Sequence, residues 1–354
     1  MKRKILHIII KTSYDGAAVY PIRLCDNLKE YDQTIISCFK GNAFDEILAK
    51  GIKCENLINS DNISYKYLLL KYWRLIKYLR KKSYDIIHYH QGGIGILLLV
   101  FFFRKDASVI HHFHSGNLIG DNTKQNISFL HLIILKYLSG RTKQIAVAKH
   151  VFDEYRKKVK QTQNLRLIKN STPFVFRKKE KMMNSIGFIG RITKEKGFHI
   201  AIDISKKLTE IKPDLKLIFM GEGAMNISSR YRKELTDSEF IMPMFYVQKF
   251  YKSIDLVLFL SSAPEGMPLV ILEALSFDIG IIAFPISGVV EILGNDYPLY
   301  VKNSSEVIEK LKLYYSGKIN LNELSQIHEC IGKVYIYKDM LTGIKKLYSQ
   351  CLIN

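Results

Sequence analysis

The chain has 354 residues, 47% hydrophobic and 24% charged, the composition of a folded protein long enough for about two domains. Its 53 Lys and Arg against 33 Asp and Glu leave a formal net charge of +20. The five cysteines (Cys25, Cys38, Cys54, Cys330, Cys351) are far apart and form no CxxC pair. That excludes a zinc ribbon, argues against a disulfide framework and favours a reducing compartment.

In chain order, the opening MKRKILHIII resembles a short signal sequence, but Lys11 interrupts the apolar run and no small-residue cleavage site follows. Strands are expected at 4–10, 34–39, 85–90, 108–113, 144–148 and 165–168, each short and continuously apolar, as in a parallel sheet covered on both faces. Helices fall between them, around 18–30, 64–82, 93–104, 126–139 and 149–159. The apolar stretch Ile94–Phe103 is about half of the ~20 residues a membrane helix needs, so the expectation is a soluble or peripheral cytoplasmic protein. Residues 170–181 break the rhythm with STP and a basic run, and read as a linker.

The series then restarts with strands at 185–190, 215–221, 239–243, 255–261, 280–284 and 297–301. Helices are expected around 197–210, 247–254, 267–277 and 287–293, and from Ser304 to the end. This is an α/β chain of two tandem Rossmann-like, doubly wound domains, 1–172 and 183–330. Residues 331–354 read as a C-terminal helix able to cross back to the first domain. The architecture implies a ligand cleft between the domains, outside the strand C-termini.

Charge separates the halves. Residues 1–177 hold 30 Lys and Arg and 13 Asp and Glu, whereas 178–354 hold 23 and 20. The densest cluster is 64–85, where Tyr65, Leu68, Leu69, Tyr72, Leu75, Ile76 and Leu79 share a helical stripe of roughly 120°. Lys66, Lys71, Arg74, Lys77, Arg80 and Lys81 occupy the remaining arc. A solvated basic face is the plain reading. Docking on an anionic membrane surface is compatible with it and ranks above nucleic-acid binding, for which no helix-turn-helix, KH or RRM signature is present.

Two stretches carry chemistry. In 264–293, Glu265 and Glu273 lie eight residues apart around Gly266, Met267, Pro268 and Leu269, which open a helix after a buried strand. Helix N-terminal amides suit a phosphate or hydroxyl-rich ligand, and the two carboxylates can accept from sugar hydroxyls. Their spacing places them on roughly the same helix face. In 185–208, a strand ends at Gly190-Arg191, and a loop with Lys194 and Lys196 precedes Gly197. Arg191 and Lys196 can converge on a diphosphate. Neither a P-loop nor a GxGxxG nicotinamide fingerprint occurs.

These residues, with Met220-Gly221-Glu222-Gly223 and the tail Gly288 and Glu291, resemble the family 4 glycosyltransferases of the GT-B fold. The resemblance implies a retaining transferase needing no metal and no cofactor beyond its nucleotide-sugar, which is bound by the second domain, the acceptor by the first. It implies that Arg191 and Lys196 bind the donor diphosphate, with Gly221 beside them. Glu265 and the amides of Gly266 to Leu269 would hold the transferred sugar, and Glu273 the ribose. In the first domain it implies a phosphate contact at Gly16 and a catalytic role for His114, with His88, His90, His111 and His112 on neighbouring strand ends.

The expected activity is transfer of a sugar from a UDP-linked donor to a polyprenyl-diphosphate-linked glycan in capsule, lipopolysaccharide or exopolysaccharide assembly at the inner face of the cell membrane. No nucleic-acid partner is expected. The alternative is a non-catalytic GT-B protein that binds a sugar or nucleotide, suggested by a first loop that keeps only Gly16 of the usual glycines.

Overall fold

The computed structural model describes residues 2–61, 67–90, 94–115, 129–180, 182–223, 238–245 and 247–353. The chain divides into two compact units, Met1–Lys169 with Lys338–Asn354, and Asn170–Tyr337.

Unit 1 is built on seven parallel strands: β1 (Lys4–Lys11), β2 (Asp32–Phe39), β3 (Lys53–Ile58), β4 (Ile86–Tyr89), β5 (Ser108–Phe113), β6 (Lys143–Ala146) and β7 (Leu165–Leu167). Their order is 3-2-1-4-5-6-7. The chain therefore winds outward from β1 in one direction, returns, and winds outward from β4 in the other. The switch point, where ligands of doubly wound sheets bind, lies at the C-terminal ends of β1 and β4. β1 and β4 are buried along most of their length, as continuous apolar strands under helices must be. Helices α1 (Gly16–Asn27), α3 (Leu68–Lys81), α4 (Ile94–Phe103) and α5 (Phe129–Ser139) are among the connections, with α2 (Phe44–Ala49) between β2 and β3. The final helix, Tyr337–Ile353, packs on this unit: Tyr348 is buried and reaches His88.

Unit 2 repeats the plan with five parallel strands: β8 (Ser185–Ile189), β9 (Lys216–Met220), β10 (Ser238–Ile241), β11 (Leu256–Phe259) and β12 (Gly280–Ala283). Their order is 10-9-8-11-12, so its switch point lies beyond β8 and β11. The wholly buried Asp255 anchors the approach to β8: its carboxylate accepts from the amides of Met183 and Ser185, at 2.7 and 3.2 Å, with Lys179 Nζ 3.5 Å away.

Several expectations need correction. β3 and α2 were not anticipated. β3 is an edge strand whose first residues alternate between exposed and buried, and α2 has only six residues. Residues 297–301 form no strand and contribute a single bridge, Tyr300 to Ala283. The helix expected at 197–210 is two, Phe198–Ser205 and Leu208–Ile211. In α3, Leu75 and Leu79 are buried as expected, but Leu69 is 80% exposed. Tyr65 and Lys66 lie outside the described residues.

Candidate active site

The sheet order explains why two residues distant in sequence meet in unit 2. Because β8 and β11 are neighbours, the loops that leave their C-terminal ends lie side by side. The first carries Arg191 and a single 3-10 turn, Lys194–Lys196; the second carries Ser261 to Pro268. Ser262 donates its amide to Glu195 O at 2.9 Å, which ties the loops together. Across this junction Lys196 Nζ forms an ion pair with Glu265 Oε1, and the buried Ser261 Oγ donates to the same oxygen at 2.9 Å.

Close backbone packing holds both loops in place. The Cα of Gly288 faces the backbone of Glu265, and a Cβ there would stand 2.6 Å from Glu265 O. Gly221 packs on Gly190, where a Cβ would come within 1.7 Å of the carbonyl oxygen. The same turn braces the first loop, since Gly190 donates to Met220 O at 2.9 Å and Ile192 to Glu222 O at 3.2 Å. Gly221 thus positions the loop that presents Arg191. Arg191 is exposed and makes no ion pair among the described residues.

The two motif carboxylates do not share a helix. The helix runs Leu269–Ser276 with Pro268 as its N-cap, and no side chain caps its first amides. Glu265 stands on the loop before it, with Gly266 and the buried Met267 between. Glu273 alone is on the helix; it is 4% exposed and accepts from Tyr251 Oη at 3.1 Å. The same-face expectation is therefore corrected: the pair brackets the helix N-terminus, one residue in front of it and one within. Asn170, in the linker, donates its Nδ2 to Met267 O at 3.0 Å. Sequence reasoning passed over Ser261 and Tyr251, and marked Asn170 only as part of the linker. Ser261 alone had a local signal, four residues ahead of Glu265.

In unit 1 the residues after β1 are arranged differently from a glycine-rich phosphate loop. Gly16 is the first residue of α1, and Asp15 caps that helix, its Oδ1 accepting from Ala18 N at 3.0 Å. Ser13 Oγ donates to the other oxygen of Asp15. The helix N-terminus thus already faces a carboxylate of its own chain.

The switch point of this sheet is lined by imidazoles. His7 on β1, His88 and His90 at β4, and His112 and His114 at β5 share one face, as alternate residues on strands in register. His7 Nδ1 lies 2.9 Å from His90 Nε2, and His90 Nδ1 lies 3.1 Å from His114 Nε2. His88 joins Tyr348 Oη at 2.8 Å and His112 Nδ1 at 3.1 Å. Rings of His88 and His90, and of His112 and His114, stack with centroids 4.0 and 4.1 Å apart, and Tyr20 from α1 packs edge-on against His112 and His114. Burial penalises imidazolium, so His7 is lowered to about 4 and His114 to about 3, and His88, His90 and His112 fall well below the usual histidine value. All five rings are neutral at pH 7. His111 is on the opposite face, against Phe113 and Tyr89.

Two triplets, His7-His88-His90 and His90-His112-His114, bring ring nitrogens within 4.8 Å of one another, the spacing of a metal site. Most of those nitrogens are already hydrogen-bonded to each other, to Gln33 or to Tyr348.

Comparison with known proteins agrees with this architecture. Residues 14–172 match the family described as Glycosyltransferase Family 4, and residues 171–327 match Glycosyl transferases group 1. The chain belongs to the family 4 glycosyltransferases of the GT-B fold and is an enzyme of that class. Over 286 residues it is 23% identical to the amylovoran biosynthesis glycosyltransferase AmsD of Erwinia amylovora, covering 75% of this chain and 76% of that one. A Bacillus subtilis glycosyltransferase named for teichuronic acid biosynthesis, TuaC, is 26% identical over 118 residues, 33% of this chain but only 29% of TuaC. In structure the chain is similar to Anabaena HepE, solved in complex with UDP-glucose, with a TM-score of 0.74 at 16% identity over 98% of this chain and 99% of HepE.

The basic helix is half as expected. Lys71 is half-buried and lies over Tyr72, while Arg74, Lys77, Arg80 and Lys81 are exposed. Arg74 donates to Leu57 O at 2.5 Å, Lys77 covers Trp73 and Arg80 covers Phe103, each at 5.1 Å from the ring centroid. Among the described residues no helix is long and apolar enough to cross a membrane.

Proposed function

We propose that this glycosyltransferase moves a sugar from a UDP-linked donor to a polyprenyl-diphosphate-linked glycan, retaining the anomeric configuration and using no metal ion. The observation that carries this reading is the Lys196–Glu265 pair at the switch point of the second sheet. It sets a cation for the diphosphate against a carboxylate for sugar hydroxyls, at the place where doubly wound sheets take ligands. Arg191 supplies a second cation on the same loop. When the donor enters, Lys196 exchanges Glu265 for phosphate oxygens, and Glu265 is released to the sugar, with Ser261 still orienting it. Glu273 accepts from the ribose, held in place by Tyr251.

The reaction is a displacement on one face of the sugar. The bond from the anomeric carbon to the phosphate oxygen breaks, the acceptor oxygen bonds to the same face, and its proton passes to the departing phosphate. Arg191 and Lys196 stabilise the charge that develops on that leaving group. In unit 1, His114 contacts the acceptor hydroxyl. The UDP assignment draws support from HepE and the polysaccharide setting from the names of AmsD and TuaC. The basic face of α3 supports action at the inner, anionic surface of the cell membrane.

The test is transfer from UDP-, GDP- and ADP-sugars to a polyprenyl-diphosphate glycan, with the product's anomeric configuration read by NMR. Turnover with a UDP-sugar, retained configuration and equal rates in EDTA are expected. Turnover only with GDP-sugars, inversion, or loss in EDTA would each remove the corresponding part of the reading.

A further inference from the structure

The histidine network has a direction, and one side chain sets it. Gln33 on β2 is buried and donates its Nε2 to Leu24 O and Leu28 O, at 3.3 and 2.9 Å. That orients its amide so that Oε1 faces His7 Nε2 at 3.0 Å. An amide oxygen can only accept, so His7 carries its proton on Nε2. In a neutral ring Nδ1 is then a lone pair, and His90 must donate to it from Nε2. By the same step His90 Nδ1 is a lone pair, which receives the Nε2 proton of His114. The nitrogen left over is His114 Nδ1, which has no partner among the described residues and must be an acceptor.

The neighbouring branch lacks such a terminus. Tyr348 Oη can donate to His88 Nδ1 or accept from it, so nothing orients the bond from His88 to His112, and the branch ends on a buried His112 Nε2 that has no partner among the described residues. Two chains of imidazoles therefore run side by side, and only the one that ends on His114 is polarised.

We propose that Gln33, acting through His7 and His90, is a positioning residue that sets the tautomer of His114, so that Nδ1 presents a lone pair to a hydroxyl of the glycosyl acceptor. The inference rests on the reading in which His114 touches the acceptor. A neutral imidazole at the far end of this chain is too weak a base to hold a full proton at pH 7. Its role is to accept the hydroxyl's hydrogen bond and aim the oxygen lone pair at the anomeric carbon, with the proton leaving to phosphate. The polarised chain ensures that His114 meets the hydroxyl as an acceptor and never as a competing donor. A metal ion in the same cluster is the less favoured occupant, because it would displace hydrogen bonds on His90 and His114 that already exist.

The experiment uses the full chain with 15N-labelled histidine. Long-range 1H–15N correlation spectra distinguish Nε2-H from Nδ1-H rings, with assignments from single histidine variants. In the unsubstituted protein His7, His90 and His114 are expected as Nε2-H tautomers. Gln33→Met removes the terminal acceptor. Released from it, His7 moves its proton to Nδ1, and the hydrogen bonds to His90 and His114 reverse in turn, so His114 becomes Nδ1-H. In that variant kcat should fall about tenfold, with KM for the donor within about twofold. The reversal of the His114 tautomer is the readout that a merely structural role of Gln33 would not predict. Tyr348→Phe should leave the tautomer of His114 unchanged.

An Nδ1-H His114 in the unsubstituted protein, or an unchanged tautomer in a folded Gln33→Met, overturns the proposal. So does Zn2+ that survives dialysis while erasing the imidazole-to-imidazole bonds, which would make the cluster a cation site. If the spectra are as expected but kcat is insensitive to Gln33→Met and to His114→Ala alike, it is the contact of His114 with acceptor that fails, and with it this use of the chain.

Discussion

The two sheets share a winding plan and differ in what they place at the switch point. In unit 2 the loops beyond β8 and β11 present full charges, Arg191, Lys196 and Glu265, on partly exposed side chains. In unit 1 the strands β1, β4 and β5 present four buried imidazoles and the half-buried one of His114, all neutral, and the adjoining helix N-terminus is capped by Asp15. A charged site is suited to a charged donor whose negative leaving group must be stabilised. A neutral polar site is suited to an uncharged hydroxyl that must be oriented without being ionised. One architecture thus serves two chemical tasks, through loops in one unit and strand side chains in the other.

The largest expected difference is in acid. Histidines held below 6.5 in the folded state are protonated first in the unfolded chain, so stability is full above that value and is lost as pH falls beneath it. Each such ring costs up to about 1.4 kcal/mol per pH unit, and His7, His88, His90, His112 and His114 act together. All five shifts have the same sign, so unit 1 loses stability steeply as the pH falls through this range. Unit 2 has the opposite case in Asp278. Hydrogen bonds from His328 and Ser325 hold it below its usual 3.8, so its contribution persists until the pH falls beneath that value. Trp73 is the single tryptophan and lies in unit 1. Its fluorescence in urea titrations should show the midpoint collapsing between pH 6.5 and 5, while unit 2 remains protected from amide exchange at pH 5. A midpoint independent of pH would refute the neutral-cluster description.

Next in size is the ionic junction of unit 2. Glu265→Ala and Lys196→Ala should each lower kcat/KM about a hundredfold, as loss of a transition-state contact does. The double variant should lose roughly the product of the two, because with donor bound Lys196 holds the phosphate and Glu265 the sugar. Unchanged turnover in Glu265→Ala would remove that residue from the site. A double variant no worse than either single one would show that the two act only as a pair and refute the exchange on donor entry.

What was legible in the sequence follows from what periodicity can express. Eleven of the twelve strands stood out as short apolar runs; β3 did not, since an edge strand carrying Lys53, Glu55 and Asn56 looks like a loop. The Glu265 and Lys196 candidates were visible as residue types near strand ends. Their contact was not, because it spans 69 positions and exists only through the adjacency of β8 and β11. The histidine face was half visible: His88 with His90, and His112 with His114, lie two apart on strands and so share a side. Adding His7 and Gln33 to that face requires the order 2-1-4-5, which pairwise spacing does not encode. The burial of Glu273 was hidden for a similar reason, since the neighbour that receives it, Tyr251, comes from a separate helix, Gln248–Lys252.

Glu273 gives a smaller effect. Calorimetric titration with UDP should show affinity reduced about tenfold in Glu273→Ala, the range of one charge-assisted hydrogen bond. Tyr251→Phe should lose less, because it removes the group that orients the carboxylate and leaves the carboxylate in place. Equal UDP binding by Glu273→Ala would make that buried residue a structural one.

The smallest expected effects belong to the basic helix, and there the side-chain partners allow finer ranking than charge alone. Arg74 is committed to Leu57 O, whereas Lys77 and Arg80 lie over aromatic rings with their charges exposed, and Lys81 is exposed beyond them. If α3 meets an anionic bilayer, Lys77→Ala or Lys81→Ala should weaken binding to vesicles containing phosphatidylglycerol about fivefold, corresponding to ~1 kcal/mol per basic residue at the surface. Arg74→Ala should weaken it less while lowering thermal stability, since it withdraws a hydrogen bond from the end of β3. Binding of every variant should fall as salt is raised from about 20 to 200 mM, because the Debye length shortens over that range. Vesicle binding that ignores salt, or that is equally insensitive to all three substitutions, would mean that the positive charge of unit 1 is a solvated surface and that the acceptor reaches the enzyme by another face.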